Sequence, residues 1–496
     1  MTFNSIAFAL FFVVVFSVYW LINNRSLKLQ NIFLLAASYF FYGWWDWRFL
    51  FLLLFISLSN YIAAIGIDKS QSGKNARLWL AAGLIINIGT LSVFKYFNFF
   101  IDSFVDLISL SGYHLHRSSV RIILPLGISF YIFLSLSYII DVYKKTIPAD
   151  RNLLHVLLTL SFFPIILAGP IQRPSTLLPQ LSEKRKFNYS QATDGLRQVL
   201  WGLFVKIVIA DNLAFYTDDV FSKFTGYSGS MLLMGAVLYS VQIYADFSSY
   251  SDIAIGIAKL LGINLMRNFA YPYFSRDIVE FWRRWHISLT MWFRDYIFLP
   301  LSFSVSYKLK SDRVMYIKSD MFIYIVASSV TWFLTGMWHG ANYTFLVWGL
   351  MHGMFLIIYR WQAKPRKKLF RKLGISNSNR IVILLESFVT LTVVLIAWVF
   401  FRSDSLGAAT DYLGIMLSKS LFSMPVFTYS RKMLLVTVLL TMMFLIIEWF
   451  GREEQYAIAG LKTKYPAMMR WAVYYCLILV TFFFAGSGQK FIYFQF

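Results

Sequence analysis

Thr331-Trp332-Phe333-Leu334-Thr335-Gly336-Met337-Trp338-His339-Gly340-Ala341-Asn342 joins two apolar runs, residues 321–337 and 343–359, each of the length a helix needs to cross a bilayer. An ionisable side chain in that background is expensive unless it has partners or a polar cavity, so His339 is a functional candidate. Gly336 and Gly340 flank Trp338 and His339, and without Cβ atoms they let another backbone or a thin ligand approach closely. The plainer alternative is a hydrogen-bonded structural histidine at a helix junction. His286, in Glu280-Phe281-Trp282-Arg283-Arg284-Trp285-His286-Ile287-Ser288-Leu289, has a similar setting earlier in the chain. Two imidazoles in apolar surroundings can act as a base and its partner.

Composition sets the solvent. The 496 residues are 58% hydrophobic and 14% charged, and apolar runs of spanning length recur from end to end. This pattern predicts an all-α polytopic membrane protein, since a β-barrel would show short alternating segments instead. The excess of 46 Lys and Arg over 24 Asp and Glu gives a net charge of +22. The basic residues cluster in short loops, so retention on the cytoplasmic side explains them and no nucleic-acid partner is called for. The single cysteine, Cys476, lies in an apolar run, and neither a disulfide nor a metal site is expected. Residues 6–22 read as a retained first helix and not as a cleaved signal peptide.

Basic residues at 25, 28, 69, 74 and 77 place those loops in the cytoplasm and the N-terminus outside. Residues 153–171 have basic flanks on both sides and contain Pro164, Gly169 and Pro170. That combination predicts a re-entrant segment lining a cavity open to the cytoplasm. His114 and His116, two apart in a loop, read as surface residues. A polar knot, Asp246-Phe247-Ser248-Ser249-Tyr250-Ser251-Asp252, separates two apolar stretches and predicts a helix break, with Arg283, Arg284 or Arg294 as partners for Asp246 and Asp252. A structural ion-pair network explains these acids as well as catalysis does. The expected organisation is a membrane core at 1–360, a basic cytoplasmic loop at 361–380 and packed C-terminal helices at 381–496.

Neutral imidazole near pH 7 can take a proton from a hydroxyl while that hydroxyl attacks an acyl carbon. No serine-nucleophile elbow, phosphate-binding loop or HExxH helix is present, which favours direct acyl transfer over hydrolysis through an acyl-enzyme. The residues alone lead to that class and no further. A histidine-dependent transporter or flippase competes, although the internal repeats common in transporters are not visible. A membrane scaffold without catalysis leaves the buried histidines unexplained.

Trp338-His339-Gly340 and the stretch 280–286 resemble motifs of the membrane-bound O-acyltransferase (MBOAT) family. Further resemblance lies in Leu124-Pro125-Leu126-Gly127-Ile128-Ser129-Phe130-Tyr131, Ala168-Gly169-Pro170-Ile171-Gln172-Arg173, the 246–256 region and Trp292-Phe293-Arg294-Asp295-Tyr296. The likeness is nearest to the bacterial branch that O-acetylates alginate and peptidoglycan, and it fades beyond about residue 360. Ser249 stands where the family usually has glycine. The resemblance implies a ring of transmembrane helices with re-entrant segments around a central tunnel. It implies His339 as the catalytic histidine and His286 as the second polar position. Trp338, Trp285, Arg283, Arg284, Asp246, Asp252, Gly336 and Gly340 are then candidates for the substrate-binding tunnel wall. It also implies an acetyl-CoA donor, no bound cofactor, a polysaccharide acceptor and a separate extracytoplasmic acetyltransferase partner. D-alanyl transfer to teichoic acid and lipidation of a protein are the competing chemistries within the family.

Overall fold

A computed structural model describes residues 1–23, 25–112, 121–376, 378–425, 431–485, 489 and 491–492. His114 and His116 lie outside the described residues. Among the described residues nine helices are long and apolar enough to cross a membrane. Helices make up nearly all the regular structure of the described residues, with one two-stranded hairpin among them, Arg313–Val314 against Ile317–Lys318. The chain is an all-α polytopic membrane protein, because only internally hydrogen-bonded helices or closed barrels can carry a backbone through lipid.

Two compact units are present, residues 1–203 with 250–266, and residues 204–249 with 267–496. In the first, the segment 153–171 is broken into Leu153–Ser161 and Phe163–Ile166. At about 1.5 Å per residue neither piece can cross a hydrocarbon layer of about 30 Å. The buried Arg185 guanidinium donates to Gln30 Oε1 at 2.9 Å and to Asn31 Oδ1 at 2.5 Å, so a charge in an apolar setting has polar partners.

Six helices carry the rest of the argument: α1 (Gly229–Leu260), α2 (Ile278–Arg284), α3 (Ile287–Phe293), α4 (Ser319–His339), α5 (Tyr343–Lys372) and α6 (Arg380–Arg402). The expected break at 246–252 does not occur, since α1 runs unbroken for 32 residues. The acids are satisfied from outside the helix, and the serines from within it. Ser249 Oγ donates to the Asp246 carbonyl at 2.7 Å. Asp246 takes Lys206 Nζ at 2.6 Å and the Ile492 amide at 2.7 Å, while Gln198 donates to Asp252 at 2.8 Å. Nothing therefore interrupts the helical ladder. The expected arginine partners are also corrected, because Arg284 pairs with Glu280 at 2.6 Å and Arg294 with Asp295 at 2.8 Å. Residues 361–372, expected in a basic loop, continue α5 instead. Lys, Arg, Gln and Ala are good helix formers, and a charged helix emerging from the bilayer needs no turn.

Helices α4 and α5 touch backbone to backbone. A Cβ on Gly349 would stand 2.4 Å from the Trp332 carbonyl oxygen and 2.9 Å from Gly336 Cα. A Cβ on Gly336 would stand 2.4 Å from the Phe345 carbonyl oxygen. Lipid offers no hydrophobic drive for helices to associate, so close approach of small residues supplies dispersion instead.

Replacing Gly349 by Ala should force these helices apart and lower the stability of the detergent-solubilised protein by about 1–3 kcal/mol, as read from its thermal unfolding. Lys206 also pairs with Asp211 at 2.7 Å. Lys206→Met should leave two carboxylates without their shared cation and cost about 3–5 kcal/mol in the same measurement.

Candidate active site

Short helices set up the first histidine. The Asp277 carboxylate caps α2, accepting from the amides of Val279 and Glu280 at 2.9 Å each. After seven residues α2 ends, and His286 turns the chain into α3 at φ 42°, ψ 54°. A non-glycine residue in this left-handed region costs about 1–3 kcal/mol unless its surroundings hold it. Here residues 268–270 hold it, because the Ile287 amide donates to the Asn268 carbonyl at 2.8 Å and the Ala270 amide to the Arg284 carbonyl at 2.9 Å. Asn268 Oδ1 accepts from Ser288 Oγ at 2.9 Å and lies 3.0 Å from His286 Nδ1. An amide oxygen can only accept, so Nδ1 carries the proton and Nε2 is the basic nitrogen.

His339 is the last residue of α4, followed by Gly340 in extended conformation. Its ring meets Trp348 at 4.7 Å, Trp338 at 4.8 Å and Phe401 at 5.1 Å between centroids, each close to edge-on. The Trp338 ring also packs on His286 at 5.8 Å, so this one indole lies against both imidazoles. Of the two flanking glycines, Gly336 admits a backbone and not a ligand, and Gly340 admits the Phe345 ring, 2.4 Å from where its Cβ would stand. Phe345 and Phe401 in turn line a polar cavity of about 310 Å³ whose walls include Gln242, Asn342, Arg402 and Asp404. Asn342 caps α5 through Thr344 and donates to the Asp404 carbonyl at 3.0 Å.

Trp285 is buried against Trp398 at 4.9 Å and Phe269 at 5.2 Å. Arg283 is exposed at the end of α2, and Arg284 reaches Glu280 and the Ala270 carbonyl. Asp246 belongs to the Lys206 and Asp211 ion cluster, which also holds residues 491–492, where Phe491 lies 4.1 Å beneath the Lys206 ammonium. Asp252 belongs to the first compact unit. The structure thus gathers His286, His339, Trp338 and Trp285 with aromatic residues of α5 and α6, and leaves the charged candidates outside that cluster.

Lys206, His352, Trp398 and Phe401, like Asn268 and Trp348, escape the sequence reading. Lys206 and His352 are lone ionisable residues inside apolar runs, the same signal that singles out His339. Trp398 and Phe401 lie past residue 360, where inspection of the sequence singles out no motif. Nothing local distinguishes an aromatic residue that faces lipid from one that faces a histidine.

The family model for membrane-bound O-acyltransferases matches residues 142–403. The chain is 35% identical over 470 residues to "Probable alginate O-acetylase AlgI" of Pseudomonas aeruginosa, covering 94% of this chain and 84% of the relative. It is 34% identical over 409 residues to "Peptidoglycan O-acetyltransferase" of Helicobacter pylori, covering 77% and 73%. A more distant likeness, 29% over 263 residues and 51% of this chain, is to "Teichoic acid D-alanyltransferase" of Bacillus subtilis. Matched across more than half its length and bearing paired tryptophan-histidine motifs on one aromatic cluster, the chain belongs to the membrane-bound O-acyltransferase family and is a multi-pass membrane O-acyltransferase.

Proposed function

We propose that this enzyme takes acetyl groups from a cytoplasmic thioester, acetyl-CoA, and passes them across the bacterial inner membrane for O-acetylation of an envelope or exported polysaccharide. The observation that carries the reading is His339, buried at the end of α4 in a cage of Trp338, Trp348 and Phe401 and one ring away from a polar cavity. The names of the two relatives that match over more than 70% of both chains, each acetyl-transferring, favour acetyl over D-alanyl as the group moved.

In this reading His339 acts as general base. As an acceptor hydroxyl attacks the thioester carbonyl, the imidazole takes its proton. The new C–O bond forms, the C–S bond breaks, and the imidazolium returns the proton to the departing thiolate. The surrounding rings keep water from the thioester, which would otherwise be hydrolysed. His286, with its tautomer set by Asn268, would orient donor or acceptor through Nε2. Trp338 and Trp285 would form the inner wall. Arg283 and Arg284 would form its polar approach, and Asp246 and Asp252 would brace α1. Residues 1–360 would then form the catalytic core and 381–496 a helical layer packed on it. The N-terminus would be extracytoplasmic, and a separate extracytoplasmic acetyltransferase would deliver the group to the polymer.

His339→Ala should lower transfer of labelled acetyl from acetyl-CoA into the polymer fraction of membranes by about 10²- to 10⁴-fold at unchanged expression. Transfer persisting at the wild-type rate would remove His339 from the chemistry. Asn268→Ala frees His286 to adopt the other tautomer. It should reduce kcat in the same assay, whereas thermal unfolding should report only the loss of a buried acceptor, about 1–3 kcal/mol.

A further inference from the structure

The hairpin of Arg313–Val314 and Ile317–Lys318 joins two helices of the candidate site. The helix leading in follows His286 and runs through α3, the turn at 294–298 and residues 299–308. The helix leading out is α4, which ends at His339. Phe298 and Tyr324, 5.8 Å apart, pack the two together. The hairpin is thus the closed end of a helix pair whose open ends carry both histidines. Its base is tied to the start of α4, where the Ser319 amide donates to the Asp312 carbonyl at 3.0 Å. The apolar run of α4 begins at Met321, so this base lies at the edge of the hydrocarbon. Strands of two residues reach about 7 Å at about 3.3 Å per residue. The headgroup layer on each side of a bilayer is about 5–7 Å deep, so the hairpin stays at the membrane surface whichever way it leans.

Three features of this hairpin are unfavourable in water. Arg313 and Lys318 are directly opposite each other in its register, and like charges in that relation repel. Met315 takes the turn at φ 53°, a left-handed conformation that glycine or asparagine usually supplies. Met315 and Tyr316, the two residues of the tip, are 87% and 97% exposed. Lys308, Lys310, Arg313 and Lys318 are exposed as well, against one acid in the segment, Asp312. Asp320 sits in the first turn of α4, where the helix dipole favours it. Local rules broken together at one place point to a partner outside the chain. An anionic phospholipid answers all three. Its phosphate can sit between the opposed cations, while a thioether and a phenol ring enter the upper acyl region with the hydroxyl left among the headgroups. Phe303 and Tyr307, one turn apart and exposed on the helix leading in, show that lipid reaches this side. An acidic protein could answer the cations, but a tip confined to the headgroup layer is nearer to lipid than to any soluble surface.

We propose that the hairpin is a membrane-surface anchor: Met315 and Tyr316 wedge into the cytoplasmic leaflet, and Lys308, Lys310, Arg313 and Lys318 bind the phosphates of anionic phospholipids. The cluster of cations assigns the leaflet, since basic flanks are retained on the cytoplasmic side. Each Lys or Arg near an anionic surface strengthens attachment about fivefold, so four of them make the hairpin selective for acidic lipid. Anchored there, the closed end of the helix pair fixes the depth at which both histidines stand. The anchor does not depend on which group the enzyme transfers.

The full-length protein has a single cysteine, so Cys476→Ser combined with Tyr316→Cys leaves one site for an environment-sensitive nitrobenzoxadiazole label. The labelled protein is placed in nanodiscs of phosphatidylcholine, alone or with an equal share of phosphatidylglycerol. With phosphatidylglycerol the emission should shift to the blue and quenching by aqueous iodide should fall severalfold. Phosphatidylcholine brominated near the head of its acyl chains should then quench the label. A label placed instead by Ser378→Cys, in the exposed loop after α5, should stay in water in both lipids. Changing Lys308, Lys310, Arg313 and Lys318 to Gln should abolish the difference between the lipids, as should high salt. Thermal unfolding of that variant in detergent should be unchanged, because all four side chains are exposed. A label at 316 equally open to iodide in both lipids, or equally inserted in both, would overturn the assignment. Shielding by a purified acidic carrier protein in phosphatidylcholine, with no response to phosphatidylglycerol, would give this face to a protein partner and overturn it too.

Discussion

The contact on which the aromatic cluster around His339 depends is the meeting of two backbones, α4 at Gly336 and α5 at Gly349, with no side chain between them. Within a bilayer this contact is worth having only because it is close, for lipid competes equally for any looser apolar surface. Close approach has a geometric consequence. It lays Trp332 against Gly353 and brings the Trp348 ring onto His339, so that both histidines of this helix pair are ringed by indoles. Gly340 extends the same logic, giving the Phe345 ring a seat beside the histidine at the helix end.

Polar groups in this environment fall into two kinds. Some have built-in partners: Asp246 has Lys206 and a backbone amide, Arg185 has Gln30 and Asn31, and His286 has Asn268. These explain themselves as structure, although Asn268 does more by choosing a tautomer. The second kind, His352 with the neighbouring indoles of Trp282 and Trp348, shows no such arrangement among the described residues. A low-dielectric interior strengthens every satisfied hydrogen bond and penalises every unsatisfied one, so the two kinds differ sharply in what they imply.

The ion cluster around Asp246 also accounts for a stretch without any motif. Residues 491–492 are drawn in by an amide-to-carboxylate bond and by the Phe491 ring under the ammonium. Tyr244, on the same helix as Asp246, donates to Glu448 at 2.8 Å, tying in another late helix. The C-terminal third is therefore joined to the cluster through polar contacts as well as through Trp398 and Phe401.

Local pattern alone was enough to establish a helical membrane protein, because a bilayer demands long apolar runs and nothing else in a sequence imitates them. It also singled out His286 and His339, since an ionisable residue in an apolar run is conspicuous wherever it finally points. It misread 246–252 as a break, because the pattern of acids and serines cannot reveal that Lys206, Gln198 and a distant backbone amide supply their partners. Only the tertiary structure decided which tryptophans turn toward the histidines, which glycines join helices, and that Asn268 sets the His286 proton. Each of these is a relation between segments far apart in the chain. Apolar periodicity has the same appearance whether a ring meets lipid or an imidazole.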